Sequence, residues 1–169
     1  MAVADRTPLG ATTTNRKWFL DVDAASDAAT PDWTGVHGIT AFTPGVEGSL
    51  QDDSDFDGGG WGSQTNTRNA WANELTVKRG TVKGSTPKVY DPGQEILRLA
   101  GARTGEENSV HVRWYEMERN GPRVEAYEGW AAVTWTDDGG DSAALSTATI
   151  TLTGQGERIE IAHPDTTAG

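Results

Sequence analysis

The most chemically suggestive part of the sequence is a run of alternating carboxylates. Asp53, Asp55, Asp57 and Gly58 match the opening D-x-D-x-D-G of a calcium loop, in which the carboxylates converge on one cation and the glycine permits a sharp turn. The twelfth position of such a loop requires a bidentate glutamate, but here it is Gln64, and no helices are expected on either side. The pattern therefore favours a solvated or partner-facing acidic loop and leaves calcium binding as the lesser alternative.

Other candidates for catalysis or metal binding lack the spacing that their chemistry requires. His37, His111 and His163 have no ligating partner two to four residues away. There is no G-x-S-x-G nucleophile motif, and the glycine runs at 58–60 and 139–140 lack the lysine of a phosphate loop. Any pair of carboxylates for glycoside hydrolysis is uninformative among 25 acidic residues. We therefore expect no enzymatic activity, cofactor or metal; a small hydrolase with an acidic pair is the least favoured alternative.

Seven tryptophans are many for a chain of this length. Four of them fall on the apolar positions of predicted strands and are expected in the core, whereas Trp61, embedded in glycines, is available to a partner. An alternative function is therefore a carbohydrate-binding β-sandwich that uses exposed tryptophans. The four predicted core tryptophans are Trp18, Trp71, Trp114 and Trp135.

Composition excludes several broad classes. The 169 residues include 14 Lys+Arg and 25 Asp+Glu, for a formal net charge of -11, which argues against nucleic-acid binding through a basic face. The absence of cysteine removes disulfides, thiolate metal sites and cysteine nucleophiles. No apolar stretch approaches the roughly 18 residues of a membrane span, and the N-terminus does not resemble a signal peptide. We expect one soluble domain over 1–169.

Segments with alternating apolar and polar residues recur between turn signals, which is typical of a β-sandwich or barrel. We predict a mainly β fold of about eight strands. Two glycines within 33–42 indicate a bulge or a close backbone approach. Near Gly129 the alternating apolar positions shift by one residue, which indicates a bulge there. The clearest strand segments are 17–23, 33–42, 71–82, 110–115, 123–136, 147–153 and 159–161.

One segment predicts a short flanking helix over 91–103. Asp91 is suited to the N-cap, Pro92 to the first helical position and Gln94 to the capping box, and Gly105 can end the helix in a left-handed conformation. One apolar stripe is expected to pack on the sheet. Its residues are Ile96, Leu99, Ala100 and Arg103.

Three segments lack a core pattern. Residues 1–14 and 163–169 are expected to form flexible N-terminal and C-terminal extensions. Residues 50–70 are predicted to form a long extended loop, because no apolar alternation occurs there and an insertion of that length is usually functional or disordered.

Several sequence features over 15–78 occur together in a fairly specific order. They are Asn15–Trp18 leading into a strand, Trp33–Phe42, the loop Leu50–Asp57, and Gly60–Thr65 before Trp71. In these features the chain resembles the major tail tube protein of long-tailed bacteriophages with flexible tails, particularly those of actinobacterial hosts. The C-terminal half resembles that family only generally, through the predicted helix and the threonine-rich strand ending in Thr151–Gly156.

The resemblance implies a β-sandwich subunit that forms hexameric rings, which stack into a tube around the tape measure protein and later conduct DNA. Its other expected partners are the tail terminator and distal tail proteins, and its expected location is the virion after synthesis in the host cytoplasm. Many relatives have an additional immunoglobulin-like C-terminal domain, for which this chain has no room. The three consecutive glycines also make the 50–70 segment unusually flexible for the family.

In this family a long loop or hairpin reaches a neighbouring subunit, and 50–70 occupies that position. We expect its carboxylates to meet basic groups of an adjacent subunit, with Trp61 as an apolar anchor. If acidic residues instead face the lumen, salt should favour assembly by screening them; a yield that falls with salt would indicate dominant ion pairs. The residues expected at this contact are Asp53, Asp55, Asp57, Trp61, Arg68, Lys78 and Arg79.

Overall fold

The computed structural model describes residues 4–25 and 30–165, and these ranges form eight β-strands, one α-helix and three short 3-10 helices. The expected mainly β class with one short helix is confirmed. Residues 1–3 and 166–169 of the two expected flexible extensions lie outside the described residues. The strands are β1 (Trp18–Asp23), β2 (Trp33–Gly35), β3 (Ile39–Asp52), β4 (Gln64–Lys78), β5 (Ser109–Glu116), β6 (Ala126–Asp138), β7 (Thr147–Gly154) and β8 (Ile159–Glu160); α1 is Pro92–Gly101.

The strands form one antiparallel sheet in the order β2-β1-β5-β6-β7-β4-β3, with β8 also pairing with β6. The sheet curls without closing into a barrel, so strands that are not hydrogen-bonded neighbours face each other. Trp71 of β4 lies 4.9 Å from Trp114 of β5, and Trp18 of β1 stacks at 5.7 Å on Phe42 of β3, measured between ring centroids. The core therefore fills the space between the two halves of one curled sheet.

Helix α1 covers part of this core. As predicted, the Asp91 carboxylate caps it by accepting a hydrogen bond from the Gln94 backbone N–H at 3.0 Å. The predicted apolar stripe is partly wrong: Leu97 and Ala100 are buried, whereas Leu99 is half-exposed. The helix is rotated from the predicted orientation because Gly93, which has no Cβ, packs directly against the backbone of Gly35.

The bulge or close backbone approach expected within 33–42 is confirmed, whereas the bulge expected near Gly129 is wrong. The β3–β4 register shifts between Ile39 and Ala41, and a Cβ at Gly38 would lie 2.8 Å from the Lys78 carbonyl oxygen. Residues 33–42 form two strands separated by a turn, in which Gly38 has a φ of 79°.

The β5–β6 register runs without interruption from Ser109 to Tyr115, so Gly129 is not a bulge. The alternating apolar positions shift because Ala126 is buried on the face of β6 opposite to that of Ala131 and Val133. Ile161 extends the β8–β6 pairing by donating a backbone hydrogen bond to the Ala126 carbonyl.

The C-terminal segment is also packed where it is described. His163 lies edge-on to Tyr115, and one of its ring nitrogens lies 2.6 Å from the Glu116 carbonyl oxygen. Residues 163–165 thus pack on the sheet and do not extend freely as expected of a flexible tail, because His163 has these partners on β5 and the Asp165 carboxylate lies 3.6 Å from Arg123. No helix in the described ranges has the length and apolar character needed to cross a membrane.

The predicted long loop over 50–70 is mostly β-hairpin. Strands β3 and β4 remain paired out to Asp52 and Gln64, so only residues 53–63 lie outside them. No strand pattern is recognisable in this part of the sequence, because every residue from 50 to 70 is exposed. A hairpin with both faces in solvent requires no alternation of apolar and polar side chains.

Candidate functional site: the hairpin arm

Beyond the Val46–Trp71 pair, β3 and β4 leave the core and project as a two-stranded arm, residues 47–70, here called the hairpin arm. Large apolar side chains on it contact no core residue: Phe56 is fully exposed and Trp61 is 84% exposed. Exposure of this kind, on a segment stabilised only by its own backbone pairing, is typical of a surface that is covered by a partner.

The tip of the arm, residues 52–63, is closed by short-range hydrogen bonds. The Asp53 backbone N–H donates to the Ser63 carbonyl at 3.1 Å, and the Ser63 N–H donates to the Ser54 hydroxyl at 2.8 Å. The Asp55 carboxylate accepts from the Asp57 N–H at 3.1 Å and caps the 3-10 turn Phe56–Gly58. These bonds define a compact tip in spite of its glycines.

The carboxylates of the tip are stabilised in their charged form. Hydrogen bonds from the hydroxyl and the N–H of Ser54 lower the pKa of Asp52. The pKa of Asp53 is lowered first by the Thr65 hydroxyl, which donates to its carboxylate, and then by Ser63. The tip is therefore strongly negatively charged at neutral pH.

The alternating aspartates have separate roles in the tip. Asp53 bonds to Thr65 across the hairpin, whereas Asp55 bonds to the turn that follows it. Among residues 4–25 and 30–165, no group of three or more His, Cys, Asp or Glu side chains is arranged to hold a metal ion. Two of the three alternating aspartates thus make hydrogen bonds that close the tip.

The basic residues expected to face these carboxylates lie at three different places. Arg68 is exposed on the arm itself, and Lys78 is exposed at the far end of β4. The Arg79 side chain is largely buried: its guanidinium lies 2.7 Å from a Glu95 carboxylate oxygen and 4.1 Å from the centroid of the Tyr90 ring. Arg79 therefore has partners within its own chain that hold α1 against the end of β4.

The tryptophans divide as predicted between core and surface, with one exception. Trp18, Trp71 and Trp114 are buried, Trp61 is exposed, and Trp135 is only partly buried against the core. None of the ring contacts within the described part of the chain includes Trp61, so it shares no stacking platform with another aromatic residue. Trp61 therefore forms no stacking platform for the carbohydrate-binding alternative; Trp130, which is 46% exposed, stacks on His111.

Sequence reasoning missed an aromatic and ionic cluster on the outer face of β1, β2, β5 and β6. The His111 ring lies between Trp33 and Trp130, at centroid distances of 4.9 and 5.0 Å. Asp21 accepts hydrogen bonds from Arg113 at 2.8 Å and from the Tyr115 hydroxyl at 3.1 Å. The alternation of His111, Arg113 and Tyr115 was visible, but their partners lie on strands far away in sequence.

This cluster is ordered by its internal contacts. Burial, and then the nearby Asp21 carboxylate, raise the pKa of Tyr115 to about 12, so its hydroxyl remains a donor at neutral pH. Arg113 also lies over Trp33, with its guanidinium carbon 4.6 Å from the ring centroid. The cluster holds the short strand β2 against β1 and β5.

No protein-family model and no curated protein matches this sequence. Solved structures do share its fold. A chain from the virion of a native gene transfer agent particle aligns with a TM-score of 0.63 and 9% identity, covering 89% of this chain and 100% of its own length. A chain from the tail of an empty gene transfer agent particle, refined with helical and C6 symmetry, aligns with a TM-score of 0.61, 9% identity and the same two coverages.

A third similar chain comes from the six-fold symmetrised baseplate of the anti-feeding prophage. Its TM-score is 0.55 at 9% identity, covering 92% of this chain and 99% of its own length. At this identity the similarity demonstrates a common fold. The fold of this chain is thus the one found in subunits of phage-like tail and baseplate particles.

Proposed function

We propose that this chain is a structural, non-enzymatic subunit of a phage-type tail tube, which forms hexameric rings that stack around the tape measure protein. The observation that supports this most strongly is the shared fold, which spans 100% of a chain from a gene transfer agent tail with C6 symmetry. The similarity leaves no large part of either chain unmatched. A fold of the same extent is expected to make the same kind of assembly.

The hairpin arm provides a second, independent argument for assembly. Ordering a residue costs about 1–2 kcal/mol of backbone entropy, and the arm buries no core side chain that would offset this cost. Cover by a neighbouring subunit would supply the missing burial for Phe56 and Trp61. The outer edges of β2 and β3 end the curled sheet and offer further backbone groups to neighbours.

The net negative charge of the chain is compatible with a tube that conducts DNA. The net charge of -11 disfavours tight phosphate binding, so a lumen with acidic residues lets DNA pass without holding it. DNA is on this view a transient occupant, after the tape measure protein has left. The tail terminator and distal tail proteins are then the partners at the two ends, and the virion is the final location.

The test is electron microscopy of concentrated protein, alone and with an initiating tail tip, beside measurement of its mass in solution. We expect rings or tubes with six-fold symmetry, formed without a cofactor. An initiator helps because closing a ring of weakly associating subunits loses translational entropy before all interfaces exist. Strict monomers under both conditions would refute the proposal.

A hairpin variant tests the role of the arm separately. Replacing residues 53–63 with Asn-Gly, which favours a tight hairpin turn, is expected to leave the monomer's melting temperature nearly unchanged and to abolish assembly. Leu145→Ser, which removes an exposed apolar side chain from the β6–β7 turn, is the matched control and should assemble normally. Normal tubes from the shortened hairpin would show that the tip has no role in the interface.

A further inference from the structure

Two segments of opposite charge lie at opposite ends of β4. The tip of the arm contains four carboxylates, and no lysine or arginine occurs between Glu47 and Arg68. Residues 78–90, here called the basic segment, contain four cations and no carboxylate, in a chain where acidic residues outnumber basic ones by 25 to 14. The carboxylates are Asp52, Asp53, Asp55 and Asp57; the cations are Lys78, Arg79, Lys83 and Lys88.

Most of the basic segment is free to meet a partner. Arg79 is engaged with Glu95, but Lys78, Lys83 and Lys88 are exposed and make no ion pair with any residue that the structure describes. Positive charge therefore accumulates there without compensation from the segment's own surroundings.

A cleft beside these lysines has a shape and lining suited to an apolar side chain. It has a volume of about 520 Å³ and lies between the basic segment and the start of α1, with Val82, Lys83 and Pro92 among its lining residues. Val89 and Tyr90 on the same segment are about half-exposed.

Most of the exposed surface of the cleft is apolar, and Lys78 and Lys83 lie at its rim. The one carboxylate in its lining, Asp91, is largely buried and bonded to the Gln94 N–H and the His37 ring. The cleft therefore complements a ligand that is both aromatic and anionic.

The tip of the arm is such a ligand. Phe56 and Trp61 project from it into solvent, beside carboxylates that are held in the charged form. The tip and the basic segment cannot meet within one chain, because β4 has 15 residues and extends for roughly 45 Å between them. Within this protein, their complementarity can therefore be satisfied only by contact between two copies.

We propose that the acidic tip of one copy docks in the cleft beside the basic segment of a second copy, with Phe56 or Trp61 in the cleft and lysines facing the aspartates. The inference rests on the proposed function in taking the partner to be another copy of this chain. Because donor and acceptor lie at opposite ends of one strand, the contact is head-to-tail and repeats from copy to copy. Assembly should then weaken with salt, since opposite charges at the rim are screened over about 8–10 Å.

Cysteine cross-linking tests the contact directly, because the natural chain has no cysteine. Asp57→Cys protein is mixed with Lys83→Cys protein under mild oxidation, and the disulfide-linked heterodimer is quantified. The control pairs Asp57→Cys with Glu106→Cys, an exposed position before β5. We expect at least about tenfold more heterodimer from the first pair; equal yields would overturn the proposal.

Charge reversal gives an independent test in which folding is monitored. Asp57 is suitable because its carboxylate, unlike those of Asp53 and Asp55, accepts no hydrogen bond that closes the tip. Asp57→Lys alone and Lys83→Glu alone should each weaken self-association by about tenfold without changing the melting temperature. The double variant should restore self-association. A double variant that melts normally but associates no better than the single variants would refute the docking.

The two proposals can fail separately. Six-fold tubes without a 57–83 cross-link would overturn the docking and leave the tail tube function standing. Head-to-tail chains that cross-link at 57–83 but form no rings, even with an initiating tail tip, would support the docking and overturn the tube.

Discussion

Strand β4 runs through two regions that are stabilised in different ways. From Trp71 to Val77 alternate residues are buried in the core, whereas from Gln64 to Ala70 every residue is exposed. The backbone pairing with β3 continues across both regions. The comparison shows that apolar burial fixes the body of the sheet, while backbone pairing and turn bonds alone define the hairpin arm in the free subunit.

The largest difference in the free energy of unfolding is expected between variants of two tryptophans. Trp114→Ala should lower the free energy of unfolding by about 3–5 kcal/mol, because it leaves a cavity where a fully buried indole touches Trp71 and Tyr127. Trp61→Ala, in the exposed tip, should change it by less than about 0.5 kcal/mol. Chemical denaturation of the two monomers measures both values.

For assembly, we expect a large effect from the exposed tryptophan. Trp61→Ala should impair association although the subunit remains folded. A large loss of monomer stability in Trp61→Ala would contradict the division between body and arm, since it would place Trp61 in the folding unit.

The next effect concerns a close contact inside the body. The indole of Trp71 lies against Gly129 and Gly154 and donates a hydrogen bond from Nε1 to the Gly156 carbonyl at 3.0 Å. A Cβ at Gly129 would lie 2.7 Å from Trp71 Cζ2, so Gly129→Ala should destabilise the subunit by about 1–3 kcal/mol. Gly139→Ala, with no atom near its added methyl, is the control for thermal melting. Equal melting temperatures would show that the ring moves freely.

One substitution in the core is expected to stabilise the subunit. Asn73 is 1% exposed between Trp71 and Leu75, and neither its amide oxygen nor its amide nitrogen has a hydrogen-bond partner among the described residues. An unsatisfied buried polar group costs about 1–3 kcal/mol, so Asn73→Leu, with a side chain of similar size, should raise stability by about 1–2 kcal/mol. Asn69→Leu, on the exposed arm, should have almost no effect on denaturation. A loss of stability in Asn73→Leu would mean that the amide is bonded in solution.

The sequence predicted those parts of the fold that depend on local signals. The alternation of β1 and β5 and the Asp91 cap of α1 were all recognisable, because each is encoded within a few neighbouring residues. The hairpin strands could not be recognised, since neither face of the arm contacts a core that would require apolar alternation. The shift of apolar positions at Ala126 does not mark a bulge, because Ala126 is buried on the face of β6 opposite to that of Ala131 and Val133, which neighbouring residues do not reveal.

Only part of the candidate site was recognisable from the sequence. The acidic tip and Trp61 stood out by composition and were correctly expected to be exposed. Lys83 and Lys88 were overlooked, although the absence of any carboxylate between 78 and 90 is a readable charge signal. Arg79 was a reasonable candidate by charge alone, but its bond to Glu95 depends on the docking of α1, which sequence spacing does not reveal.

The smallest expected effect is a pH response of the tip of the arm. The pKa values of Asp52 and Asp53 are lowered by hydrogen bonds from Ser54 and Thr65, so these bonds are fully present above the ordinary carboxyl value of about 3.9. They are lost as the pH falls through the lowered values, because a protonated carboxyl is the weaker acceptor. Acidification should therefore loosen the tip.

Amide chemical shifts measured against pH test this response. The Ser54 N–H, which donates to Asp52 at 2.9 Å, should titrate below pH 3.9, and the Val112 N–H in the body should not follow it. Asp52→Asn should remove the titration of Ser54 and leave the melting of the subunit unchanged, since the arm lies outside the core. If Val112 titrates together with Ser54, the tip and the body form one cooperative unit, and the distinction between the two regions of β4 does not hold.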